Sequence, residues 1–296
     1  MDVRSIQKTG NMYYMYLPSS WCKKHKIVSQ SKVIVNEDNQ GILTVSARIE
    51  DKKAKDIEIN LKEDNLDVIQ KVIMGCYVNP TNSFTINLEK KMDVAKLLQQ
   101  RKLISLALVE CCENTISCES NVSIENPLSL LITMLKKTRN LIYLMIENYD
   151  SELINRYEEE IDESKILIEK SVIASFTYHK VPKLKTIEIY YISQISKDLE
   201  RFVDHLIQLT PSESKILNVL IKIIDKLKEI IVSLKNPDTN LNNGTCVDFV
   251  HMLKSIPDIN VDDSKKYNVH RIKGTLTGIS EVLMDWSVTQ RLEESR

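Results

Sequence analysis

From Pro127 onward the chain is written in helical period and strand signals nearly vanish. The clearest stretch is Ile187 to Leu209, where Ile192, Ile195, Leu199, Phe202, Leu206 and Leu209 recur in alternating steps of three and four. That spacing draws one apolar stripe along a helix and demands a partner surface to cover it. Leu128–Tyr149, Glu152–Tyr178, Ser214–Leu234 and Asn268–Arg291 carry the same period. Asp150-Ser151, Val181-Pro182-Lys183 and Pro211-Ser212 punctuate them, Asn236–Asn243 reads as a loop, and Cys246–Lys254 as a short helix. Long helices with brief connections predict an antiparallel bundle.

Within the clearest helix, Glu200 and Asp204 sit one turn apart and share a face. They lie roughly 130° to 170° from the centre of the stripe. The pair is either ordinary solvated surface or a ligand site. His205 beside it could join such a site; a surface histidine is the plainer reading. Arg201 is expected to form an ion pair across helices, Trp286 to lie in the core, and Lys222–Ile230 to show a solvated face.

At 296 residues the chain exceeds one typical domain, which predicts two or three units. A net charge of −1 excludes a chain-wide basic excess, so any nucleic-acid role must come from a local patch. With six glycines and seven prolines, a loop-rich sheet protein or an extended glycine-rich phosphate cradle is disfavoured. The polar N-terminus is unlike a signal peptide, and the apolar runs are too short to span a bilayer, so a cytoplasmic location is expected. Cys22, Cys76, Cys111, Cys112, Cys118 and Cys246 form no C-x-x-C pair and read as incidental thiols. No P-loop, H-E-x-x-H, G-x-S-x-G or dinucleotide fingerprint occurs, and the histidines are scattered, so no enzyme is expected.

Residues 1–47 read as strand, turn, strand, short helix, and two strands. The strands are Val3–Ile6, Met12–Leu17, Lys32–Val35 and Ile42–Ser46, with the helix at Ser20–His25. Four short strands bury too little apolar surface to stand alone, which predicts a homodimer. Residues 48–125 begin with a charged connection. They continue as a small α/β unit with strands at 56–61, 82–88 and 105–111, helices at Asn65–Gly75 and Lys91–Arg101, and closing strands near 115–126. No catalytic spacing is found there; it reads as a spacer or sensor. The fold class is therefore multidomain α+β, with divisions at 1–47, 48–125 and 126–296.

Residues 1–47 resemble the swapped-hairpin DNA-binding domain of the SpoVT/AbrB family. The resemblance is carried by Lys8-Thr9-Gly10, the strand ending Tyr16-Leu17-Pro18, the helix with Trp21 and Lys24, and the last hairpin. One departure is the turn Gln30-Ser31, where the family has Gly-Asp. The resemblance implies interleaved hairpins from two chains, with Arg4, Lys8, Lys23, Lys24 and Lys26 meeting DNA phosphates and groove. A solvated helix face is the alternative for these lysines.

Most of 127–292 is similar to the helical repeats of PhoU proteins. The run from Glu147 to Lys170 resembles a second helix of that repeat, Lys197–Leu206 a third helix, and Gly274–Trp286 the third helix of a second repeat whose middle helix has shrunk. Together with the N-terminal module this resembles archaeal phosphate-uptake regulators. It implies metal ligands Glu158, Asp162, Glu200, Asp204, Glu281 and Asp285. Carboxylates four apart on adjacent helices suit hard or borderline cations, Fe, Mn, Mg or Ca. The first pair flanks its own apolar stripe by roughly 85° and 125°, and the third lies nearly opposite its stripe, so any cluster would be superficial. Exposed faces rich in acids, such as Glu159, Glu160 and Glu163, are the plain alternative.

The resemblance implies a phosphate-responsive regulator that binds DNA through the dimeric module and senses a metal or partner through the bundle. The alternative is a protein-interaction regulator of a transporter ATPase or a sensor kinase, without DNA contact.

Overall fold

A computed structural model describes residues 3–37, 41, 43–47, 55–79, 81–91, 93, 97, 109–112, 114–119, 126–178, 184–234, 243–257 and 263–294. The chain divides into two compact units, Met1–Lys53 and Ala54–Arg296.

The first unit holds β1 (Gln7–Thr9), β2 (Met12–Tyr14), α1 (Ser19–Lys24), β3 (Ile34–Glu37) and β4 (Leu43–Ser46). β1 and β2 form a hairpin closed by Gly10-Asn11, with Thr9 opposite Met12, and Gly10 supplies the positive φ that a two-residue turn needs. β3 pairs antiparallel with β4. The first strand falls at Gln7–Thr9 instead of Val3–Ile6, because the Gly10 turn fixes its register. Likewise β2 stops at Tyr14, well short of Leu17. Gln30 takes φ 68, the left-handed region that favours glycine. No described residue of this unit is buried, although Met12, Tyr13, Tyr14, Met15 and Tyr16 are all large and apolar in body.

The second unit opens with β5 (Lys55–Leu61), α2 (Leu66–Val78), β6 (Thr81–Leu88), β7 (Val109–Cys112) and β8 (Thr115–Glu119). The strands form one sheet in the order β5-β6-β8-β7, parallel between β5 and β6 and antiparallel elsewhere. Phe84, Ile86, Leu88, Ile116 and Cys118 share one face and pack with Ile69, Ile73 and Cys76 of α2. The other face is polar, with Ser83 bonded to Asp56 and Asn87 to Glu58 and Asn60. Asn65 caps α2 by accepting from the backbone N–H groups of Asp67 and Val68. The helix runs past Gly75 because Cys76 packs in the core, and it ends at Val78, with the extended Asn79 as its C-cap ahead of Pro80 in the sequence. The expected helix Lys91–Arg101, the first part of strand 105–111 and the segment 121–125 lie largely or wholly outside the described residues.

The bundle comprises α3 (Pro127–Glu147), α4 (Ser151–Tyr178), α5 (Thr186–Leu206), a single 3-10 turn (Pro211–Glu213), α6 (Ser214–Leu234), α7 (Asn243–Leu253) and α8 (Asp263–Glu294). Its core is one apolar cluster that includes Leu131, Leu135, Ile161, Ile195, Leu199, Phe202, Leu220, Phe249, Leu276 and Trp286. α3 packs on α4, α5 and α6; α5 packs on α4 and α8; α7 bridges α6 and α8. α5 and α8 run antiparallel, because Tyr191 stacks on Trp286 at one end while His205 meets Asn268 at the other. The stripe on α5 is buried throughout, and Leu209 with it, although α5 itself ends at Leu206. α8 starts earlier than its apolar period, at Asp263, because Lys265 and Asn268 are tied down by polar contacts. Among the described residues no helix is long and apolar enough to cross a membrane.

Candidate metal centre

Ile161 and Ile168 hold α4 in the core, and Leu199 with Phe202 and Val203 does the same for α5, so the two helices lie side by side. This docking turns Asp162 of α4 towards Glu200 and Asp204 of α5. One carboxylate oxygen from each of the three lies within 4.8 Å of the others. Asp162 and Glu200 are half-buried, and Asp204 is exposed. The spacing of the α5 pair is one turn, so two of the three donors are fixed by a single helix and the third by packing.

Three carboxylate oxygens at that separation repel one another as anions, and a divalent cation between them would relieve the repulsion. The donor set contains no thiolate and no imidazole, which matches hard cations such as Mg, Mn or Ca, with water completing the shell. The donors fit the expected cation; the partial exposure fits a superficial site open to solvent.

The other expected ligands stand apart from this cluster. Glu158 is half-buried one turn earlier on α4 and is not among the three carboxylates that converge. Glu281 and Asp285 are exposed on α8, and among the described residues they join no comparable group.

His205 does not turn to the acids. The Asn268 amide donates to Ser264 O at 3.1 Å, leaving its oxygen to accept from His205 Nδ1–H at 2.9 Å. Arg271 Nε donates to His205 Nε2 at 3.4 Å, and the Tyr267 ring meets the imidazole edge-on. The imidazole is thus committed to α8. Arg201 pairs with Asp198 on its own helix at 3.2 Å, not across helices. Asp225, by contrast, bridges to Arg139 of α3 at 2.8 Å from the otherwise solvated side of α6. Trp286 is core, as its place in the stripe predicts, and Cys76, Cys118 and Cys246 are buried.

Two polar features near the α5–α8 seam carry little signal in the sequence. Asp198 is half-buried against Gly278, and a Cβ added there would lie 3.1 Å from its Oδ2. Burial pushes the Asp198 carboxyl above its ordinary value, opposed by Arg201. Glu213 is buried beneath α8, where Lys265 Nζ donates to its Oε1 at 2.8 Å, Ser212 Oγ to the same oxygen, and Thr210 N–H and Oγ1 to Oε2. Burial alone would raise that carboxyl; the four donors outweigh it and hold its pKa at about 2. Thr210-Pro211-Ser212-Glu213 has the capping-box spacing, so the local half of this network was open to sequence reading.

Of the expected DNA contacts, Arg4, Lys8, Lys23, Lys24 and Lys26 are all exposed. Lys23 and Lys24 occupy the last turn of α1, where cations also suit the helix dipole. Lys8 Nζ stands 5.3 Å from the centroid of the Tyr13 ring across the hairpin. Comparison with protein-family models, curated proteins and solved structures gives no match.

Proposed function

We propose that this chain is a phosphate-responsive regulator whose N-terminal unit pairs with a second copy and holds DNA, while the bundle binds a cation or a protein partner. The observation that carries the reading is the state of the first unit. It exposes five basic side chains and a run of apolar ones from Met12 to Tyr16, and none of its described residues is buried. A unit of that size cannot bury a core alone, so a second copy is the economical cover for the apolar run. The exposed cations then line a dimer of the kind the SpoVT/AbrB resemblance implies, neutralising phosphates in proportion to their number.

The bundle supplies the second half. Asp162, Glu200 and Asp204 present oxygen donors for a hard cation, which makes one whole pair and half of a second among the three that the PhoU resemblance implies. Glu200 and Asp204 would hold the ion from α5 and Asp162 from α4, so its loss would free the two helices to repel. Phosphate as the signal rests on the resemblance alone.

The test is a mobility shift of the full chain on mixed-sequence duplex DNA at low salt. Retardation is expected, with the salt slope falling by about one for each of Lys8→Ala, Lys23→Ala and Lys24→Ala. No retardation of any duplex would remove the DNA part and leave a protein-interaction regulator. A pull-down from cells grown with and without phosphate would then look for a transporter ATPase or a sensor kinase.

A further inference from the structure

α4 is buried on two opposite sides. Ile154, Ile161, Ile168 and Val172 belong to the core of the bundle. Ile166, Lys170 and Ala174, each four residues from the next, stack along the other side and are buried too. Neither Ile166 nor Ala174 belongs to the bundle core or to the core beneath the sheet. Lys170 is only 8% exposed, a rare position for an ammonium group. Its Nζ stands 4.1 Å from the centroid of the Tyr77 ring on α2. At Lys170, therefore, this row meets α2, which packs on α4. Burial draws the Lys170 pKa below its ordinary value.

Among the described residues the two apolar clusters share no member. Each body has its own core, and among the described residues Lys170 of one meets the Tyr77 ring of the other. Bodies with separate cores move relative to one another unless a large hydrophobic interface joins them. Desolvating the ammonium offsets part of what the contact gains.

We infer that the sheet β5–β8 with α2 is a separable body hinged on the bundle, and that the Lys170–Tyr77 cation–π contact is the latch that holds it closed. Opening bares the second face of α4 and leaves the bundle core intact. The joint works whether or not the acidic cluster holds a cation.

Hydrogen exchange followed by mass spectrometry on the full chain, in buffer and in low urea, tests this. The amides of α2 are expected to exchange through an opening that leaves α3, α5 and α6 protected. Tyr77→Leu keeps apolar bulk but removes the ring face, and is expected to speed exchange in α2 about 3- to 30-fold with those three helices unchanged. Tyr77→Phe keeps the ring and should stay within about twofold of wild type. Exchange of α2 and the bundle in one cooperative step overturns the hinge. Equal acceleration by Tyr77→Leu and Tyr77→Phe, or no acceleration by Tyr77→Leu, overturns the latch.

Discussion

Asp162 and Glu200 stand on different helices, yet their carboxylate oxygens approach within 4.8 Å across the α4–α5 seam. Like charges brought together by packing cost free energy unless something neutralises them. Mn²⁺ is therefore expected to raise the melting temperature of the protein. Asp162→Asn and Glu200→Gln should each weaken Mn²⁺ binding at least about tenfold in calorimetry, since each removes one of three charged donors. Glu281→Gln and Asp285→Asn, outside the cluster, should leave it unchanged. Equal losses at all four positions would show general surface electrostatics instead of a site.

Glu213 gives the chain an acid-sensitive joint. Its folded pKa of about 2 lies below the ordinary 4.5, so its stabilisation is complete above pH 4.5 and disappears as pH falls from there to 2. The shift corresponds to about 3 kcal/mol at neutral pH, as an order of magnitude. Glu213→Gln should lose roughly 2–3 kcal/mol in urea denaturation at pH 7 and show a flatter stability profile between pH 4.5 and 2 than wild type. A mutant as stable as wild type at pH 7 would deny the network this role.

Gly274 and Gly278 sit one turn apart on α8 but in different surroundings. A Cβ at Gly274 would meet nothing within 4 Å, whereas one at Gly278 would press on Asp198 Oδ2. Gly274→Ala should stabilise by about 0.5–1 kcal/mol through helix propensity. Gly278→Ala should fall short of that by at least about 0.5 kcal/mol, because the half-buried carboxylate must shift. Thermal denaturation of the two variants decides, and equal values would mean that Asp198 yields freely.

Gln30 holds a left-handed backbone that costs a side-chain-bearing residue on the order of 1 kcal/mol. Gln30→Gly should stabilise the first unit by about 0.5–1 kcal/mol, less the added entropy of the unfolded chain. Chemical denaturation followed by the fluorescence of Trp21, which lies in that unit, would show it.

The exposed run from Met12 to Tyr16 should govern self-association. Tyr14→Lys with Tyr16→Lys is expected to shift the protein from dimer to monomer in light scattering at micromolar concentration. Removal of residues 1–53 should do the same. A dimer that survives both changes would place the interface in the second unit.

The helices after Pro127 were legible because each carries its own apolar period, and that period needs no knowledge of a neighbour. Leu199 and Phe202 announce a buried face whatever covers it. Short strands were less legible: β1 moved to Gln7–Thr9 because a turn at Gly10, not strand propensity at Val3, set the pairing. Helix ends followed contacts too, as when Cys76 carried α2 beyond Gly75. Glu200 and Asp204 could be placed on one face from spacing alone. Which other acids would meet them could not, since an angle around one helix says nothing about the rotation of the next.

The sequence by itself determined that a helical bundle follows a small α/β segment, and that α5 shows a carboxylate pair beside its apolar stripe. Those are properties of single elements, set by side-chain period and local backbone chemistry. Only the tertiary structure decided that Asp162 joins Glu200 and Asp204 while Glu158, Glu281 and Asp285 do not. It likewise turned His205 to Asn268, set Lys170 over Tyr77 and sealed Glu213 under Lys265. Each of these is a meeting of side chains distant in sequence, fixed by how rigid helices pack their apolar faces, and packing is a property of pairs that no single stretch contains.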